Sequence, residues 1–263
     1  KNAHPTKADI VSAEYALAHS INTATARIVA LLNNRHGRRS FVVQAMIDLL
    51  VEAGIPRHVL AVQPSLPLGP SGVTPLELAQ FYAAMTHGGT YVKPYLVEAC
   101  VDERTKEPCD LGEIMRREER EIADPKAAGL VTHMLVAASQ SGGTAARVGT
   151  ALAGHEIAVK TGTSQNNGTT WLVGCTREIC GTVWGGFDEE SLGLGVDVTT
   201  GREWQGGRTA GPPWADTAKF ILSGRKPQRF STPTGVIAVE LVKETTTLSD
   251  GTPAIGIRCV REK

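Results

Sequence analysis

Through the first two thirds of the chain, apolar positions recur mainly at helical spacing. Asp9–Ala18 reads as one helix, and Thr23–Leu32 as a second that places Ala24, Ile28, Leu31 and Leu32 on one face. Between them lies Ser20-Ile21-Asn22, with Asn22 or Thr23 as candidate N-cap. A third helix is predicted from Arg39 to Ala53, stopping at Gly54-Ile55-Pro56. Thr74-Pro75-Leu76-Glu77 is a helix start: Thr74 caps, Pro75 suits the first helical position, and Glu77 completes a capping box. That helix ends at Gly88-Gly89, and Tyr91–Val101 reads as a strand turning back through Asp102–Pro108. Asp124-Pro125 opens another helix, ending near Gly142-Gly143.

The last third changes period. Ile157–Lys160 is a short strand, and Trp171–Thr176 and Gly181–Phe187 are two strands joined by a tight turn. A Gly- and Thr-rich loop runs on through Gly211, and Pro213-Trp214 leads into a helix ending at Gly224. Val236–Val242 and Ala254–Val260 read as a closing hairpin. There is no internal repeat. Helices followed by antiparallel strands predict an α+β architecture.

The chain has 263 residues, one large domain or two small ones, long enough to fold without a metal or disulfide staple. Lys plus Arg and Asp plus Glu are 27 each, which argues against a nucleic-acid partner. The dense mixed charge of Asp102–Glu121 reads as a solvated face. No apolar run approaches the roughly 20 residues that span a bilayer. No signal peptide opens the chain, and Lys1-Asn2-Ala3-His4-Pro5 lacks a start Met, so the chain is expected to be part of something longer, with any anchor upstream.

Five cysteines are few for a disulfide scaffold. Cys100/Cys109 and Cys175/Cys180 each flank a short polar stretch and can bridge across a hairpin, while Cys259 is left over. Unpaired core cysteines are the alternative, and a zinc site would need tighter pairs or histidine partners. Disulfides would place the chain in an oxidising compartment. No metal and no cofactor is expected.

Two motifs carry chemistry. Ser20-Ile21-Asn22 is a Ser-x-Asn triplet, short enough to arise often by chance, and Ser164-Gln165-Asn166 fits it too but reads as loop. Lys160-Thr161-Gly162-Thr163-Ser164, at the end of a predicted strand, is far rarer. Their ordinary readings are a helix-capping turn and a polar strand end. Together they match the Ser-x-Asn and Lys-Thr-Gly elements of serine acyl-transfer enzymes.

The chain resembles the transpeptidase domain of penicillin-binding proteins, in their class A, bifunctional branch. The resemblance extends beyond the motifs to Leu68-Gly69, Gly72–Ala79, Tyr82, Gly88-Gly89, Trp171–Gly174, Val183–Asp188, Gly206–Ala210 and Pro213-Trp214. It implies the penicillin-binding protein/serine β-lactamase fold, an antiparallel sheet packed with helices plus a helical subdomain. Residues 1–230 would be the C-terminal portion of the domain, and 231–263 a closing β-hairpin or C-terminal extension.

The implied activity is D,D-transpeptidation: a serine attacks the D-Ala-D-Ala bond of a peptidoglycan stem peptide, and a neighbouring amine resolves the acyl-enzyme into a cross-link. β-Lactams would be ligands. On this resemblance Ser20 relays a proton, and Asn22 bonds the substrate amide and steadies the motif lysine. Lys160 supplies positive charge near the substrate carboxylate, which the Thr161 and Thr163 hydroxyls also bind. The Thr163 N–H is one oxyanion donor, Gly162 lets a peptide approach the strand edge, and Ser164 completes the substrate-binding stretch. Class A relatives carry a glycosyltransferase domain and one membrane anchor upstream, and act outside the cytoplasm.

The sequence departs from this pattern at its start. The nucleophile's Ser-x-x-Lys is missing: Ser223-Gly224-Arg225-Lys226 lies after the Lys-Thr-Gly, in the wrong order, and too few residues precede Ser20 to hold another. The nucleophile is therefore expected upstream of this chain. Thr169 stands where relatives usually carry Asp. The Gln165–Thr169 loop either borders the cleft or is a plain turn. Two other functions fit the same residues: a D,D-carboxypeptidase or β-lactamase-like hydrolase, or a non-catalytic binding or scaffold module that has lost the nucleophile.

Overall fold

The computed structural model describes residues 11–112, 117–189, 192–237, 239–247 and 253–261. The chain divides into two compact units, Lys1–Ser231 and Thr232–Lys263.

Helix α1 (Ala13–Ala18) begins where Ser12 accepts the Tyr15 N–H, so its cap falls after the expected start at Asp9, which lies outside the described residues. Helix α2 (Asn22–Arg35) opens with Asn22 itself. The expected Asn22 or Thr23 cap is thus corrected: extended, buried Ile21 takes the cap position, because the chain must turn there to anchor Ile21 in the core. The predicted apolar stripe of α2 is exposed rather than packed, with Ile28 at 45% and Leu31 at 68% of full accessibility. Helix α3 (Phe41–Glu52) stops before Gly54, whose φ of 83° reverses the chain. Helix α4 (Pro75–Thr86) has its full capping box: Glu77 N–H donates to Thr74 Oγ1, and Thr74 N–H to Glu77 Oε2.

Strand β1 (Thr90–Val92) is much shorter than the expected Tyr91–Val101, since Pro94 has no N–H to continue a ladder. It pairs with β2 (Glu119–Glu121), inside the stretch read as a solvated face. Helix α5 (Pro125–Ala137), capped by Asp124, ends earlier than expected. A short helix α6 (Ala146–Ala151), not anticipated, follows.

The central sheet has the order β3-β4-β5, all antiparallel, formed by Ala158–Thr163, Thr169–Cys175 and Cys180–Gly186. Residues directly opposite across the ladder share a face and successive residues alternate. Val159 therefore joins Leu172, Val148, Trp214 and Ala218 in one apolar cluster, with α6 and α8 (Gly211–Ile221). Ala158 joins Leu135, Val136 and Tyr82 on the other side, with α4 and α5. The sheet thus lies between two helical layers, an α+β domain. A four-residue helix α7 (Gly206–Thr209) precedes α8, within the stretch expected to be loop.

The Cys175 and Cys180 sulfurs are bonded across the β4–β5 turn. Cys100 and Cys109 are free thiols, their sulfurs 2.9 Å apart, so of the two candidate bridges only one is formed. In the second unit, β6 (Val239–Thr247) pairs with β7 (Pro253–Arg261) as an antiparallel hairpin, and residue 238, inside the expected strand, lies outside the described residues. No described helix is long and apolar enough to cross a membrane. Peptide mapping without reductant is expected to recover the Cys175 and Cys180 peptides as one linked species, with Cys100 and Cys109 alkylated.

Candidate active site

Lys160 and Ser20 lie 140 positions apart in sequence and meet in space: Lys160 Nζ donates to Ser20 Oγ at 2.8 Å. The same ammonium donates to the Thr161 carbonyl at 2.7 Å. Lys160 shares its strand face with Ala158, toward α5. Ser20 arrives on the turn between α1 and α2 in left-handed backbone, φ 53°. That conformation costs a non-glycine residue about 1–3 kcal/mol and persists where surroundings impose it. Here Ser20 N–H donates to Leu17 O, Ile21 N–H donates to Ala16 O at 2.8 Å, and the Ile21 side chain is buried. Asn22 follows as the first residue of α2.

Burial strips water from the Lys160 ammonium and pulls its pKa from 10.5 down to about 8. Near pH 7 roughly a tenth of such lysines are neutral, so Lys160 is mainly a cation there yet able to exchange protons.

The Lys-Thr-Gly run lies in the C-terminal half of β3, as expected, and the strand runs past the predicted Ile157–Lys160 because pairing with β4 continues to Thr163↔Thr170. Among the described residues β3 is an outer strand, its far side unpaired. Thr161 and Thr163 face the layer opposite Lys160. Thr161 Oγ1 lies 3.0 Å from Thr144 Oγ1, and Thr163 Oγ1 accepts the Gly206 N–H at 3.1 Å. Gly162 pairs with Trp171. Ser164 is exposed, and its hydroxyl accepts the Thr169 N–H at 2.8 Å and closes the β3–β4 turn. The 165–167 segment is a single 3-10 turn. Ser223-Gly224-Arg225-Lys226 follows α8, where Arg225 pairs with Glu178 at 2.9 Å.

Two contributors were not assigned a role from the sequence. Gly206 and Gly207 sit against β3 so closely that a Cβ at Gly206 would overlap the Gly162 and Trp171 carbonyl oxygens, and one at Gly207 the Thr144 carbonyl oxygen. Thr144 joins both motifs: its N–H donates to Ala18 O, two residues before Ser20, at 3.2 Å, and its hydroxyl meets Thr161. The glycine pair Gly142-Gly143 before it was the available signal, but read only as a helix end. Among the described residues no cluster of side chains suits a metal ion.

Two segments distant in the chain thus meet here, a serine on a helical turn and a lysine on an outer strand. The sequence model of the penicillin-binding protein transpeptidase domain matches residues 9–178, so the chain belongs to that family. Penicillin-binding protein 1A of Neisseria lactamica is 30% identical over 180 residues, 68% of this chain and 21% of that protein. Penicillin-binding protein 1A of Aquifex aeolicus is 29% identical over 246 residues, 92% of this chain and 30% of that protein. Among solved structures, penicillin-binding protein 1A from Haemophilus influenzae superposes with a TM-score of 0.69 at 22% identity, over 93% of this chain and 39% of that one. PonA1 from Mycobacterium tuberculosis, in complex with penicillin V, gives 0.69 at 23% identity, over 86% of this chain and 60% of that one. The likeness falls in the class A branch that the motifs suggested. The chain spans between a fifth and a third of these curated relatives' length.

The lowered pKa of Lys160 fixes a pH trend. The unfolded chain keeps the lysine proton above pH 8 while the folded chain releases it, so folding stability rises with pH from about 8 towards 10.5. Urea midpoints are expected to climb across that window in the wild type relative to Lys160→Met, with the two curves running parallel below pH 7.

Proposed function

We propose that the chain is part of a D,D-transpeptidase of peptidoglycan cross-linking, with its nucleophilic Ser-x-x-Lys supplied by residues upstream of Lys1. The single observation that carries this reading is the Lys160–Ser20 hydrogen bond beside a strand edge that is unpaired among the described residues. An extended stem peptide adds along β3, as peptides do at open sheet edges, with its terminal carboxylate near Lys160 and the Thr161 and Thr163 hydroxyls. The upstream serine attacks the penultimate D-alanine carbonyl and gives its proton to the lysine of its own Ser-x-x-Lys. The C–N bond breaks as Ser20 relays that proton to the leaving nitrogen, and terminal D-alanine departs. The Thr163 N–H steadies the oxyanion, and Asn22 holds the substrate amide. A second stem-peptide amine then attacks the ester, forming the cross-link and returning the proton to the serine. A β-lactam opens by the same attack and stays attached.

Lys160 suits this role because it is held by two acceptors and only partly discharged at neutral pH. Ser164, whose hydroxyl closes the β3–β4 turn, acts by shaping the strand end. Residues 1–230 form the C-terminal portion of the transpeptidase domain, and 231–263 a closing β-hairpin or C-terminal extension. The parent acts outside the cytoplasmic membrane, tethered to it, and the Cys175–Cys180 bond suits an oxidising compartment.

Fluorescent penicillin tests the reading. The isolated chain is expected to stay unlabelled, and the protein extended upstream of Lys1 to be labelled. Lys160→Ala in the extended protein should cut acylation on the order of 100-fold. No labelling of the extended protein would favour a scaffold module. Products from a stem peptide with an acceptor amine should include the cross-linked dimer; hydrolysis alone would indicate a carboxypeptidase.

A further inference from the structure

Thr144 lies outside both motifs, in the loop between α5 and α6, yet it is bonded towards both. Its N–H holds Ala18 O at 3.2 Å, on the segment that presents Ser20. Its carbonyl oxygen fills the space that a side chain at Gly207 would need. Its hydroxyl lies 3.0 Å from Thr161 Oγ1, and Thr161 directly follows Lys160. Backbone contacts on two sides therefore hold Thr144 in place, with its hydroxyl within hydrogen-bonding reach of Thr161.

A threonine hydroxyl has one proton and two lone pairs. If Thr161 spends its proton on Thr144, none remains for an anion. If Thr144 donates instead, the Thr161 proton is free to point at a carboxylate, and the two bonds polarise one another. An anionic oxygen beside Thr161 selects the second arrangement, because a hydroxyl donating to an anion makes the stronger bond. We infer that Thr144 is a positioning residue for substrate-carboxylate recognition: it donates to Thr161 Oγ1 and thereby commits the Thr161 proton to the bound carboxylate. This rests on the acyl-transfer reading above and adds a residue to its carboxylate site.

The test is the acylation rate of the protein extended upstream of Lys1, measured with a penicillin as its free acid and as its methyl ester. Thr144→Val keeps the shape and removes the hydroxyl. It is expected to slow acylation by the acid about tenfold and to leave the ester within about twofold. Thr144→Ser should restore the wild-type rate with the acid. In a Thr161→Val background, Thr144→Val should cost nothing further, since its effect passes through Thr161. If Thr144→Val proves unfolded by circular dichroism, Thr144→Ala carries the same comparison. Equal losses with acid and ester, or a full additional loss in the Thr161→Val background, would make Thr144 merely structural and overturn the inference. An unchanged rate with the acid would overturn it too. A wild-type protein that neither compound acylates would instead bring down the acyl-transfer reading, and the inference with it.

Discussion

A half-buried lysine ammonium is the constraint around which the site is organised. Lys160 loses much of its water and keeps two acceptors, the Ser20 hydroxyl and the Thr161 carbonyl. Neither acceptor is charged, so desolvation prevails and the pKa falls. A cation in that position is stable only while both acceptors stay within hydrogen-bonding reach. The turn between α1 and α2 and the outer strand β3 must therefore be held at one separation.

Several contacts hold that separation. β3 is gripped along one side by β4, in register from Ala158↔Cys175 to Thr163↔Thr170. The β4–β5 turn is closed by the Cys175–Cys180 bond at the far end of the sheet from the Lys-Thr-Gly run. Trp214 donates its indole N–H to Gly181 O at 2.9 Å and ties α8 to β5. Gly206 and Gly207 bring the start of α7 against the back of β3 with no side chain between. These glycines lie beyond the 9–178 match to the family, yet they limit how far β3 can move.

The strained backbone at Ser20 belongs to the same arrangement. A serine at φ 53° pays for its conformation through the buried Ile21 beside it and the hydrogen bonds of the turn. Helix periodicity registers none of this. It marks a polar interruption between two helices, and the capping preference of Asn22 suggested an ordinary helix start. The core demanded Ile21 at the cap, and that shift brings Ser20 into the turn facing Lys160.

From the sequence alone, the helices at α3 and α4, the three central strands and the two motifs whose Ser20 and Lys160 meet in the fold were legible. Each depends on local rules: side-chain period, capping chemistry, or a rare short motif. Capping did not place the first helical residue of α2, and alternation did not reveal that β3 runs on to Thr163, because strand length depends on what the partner strand offers. The roles of Thr144 and of the Gly206-Gly207 approach were equally hidden, since each is defined by segments far away in the chain. The sequence named the chemical groups. The tertiary structure decided which of them meet, since contacts between distant residues follow from the packing of whole layers and leave no period in the chain.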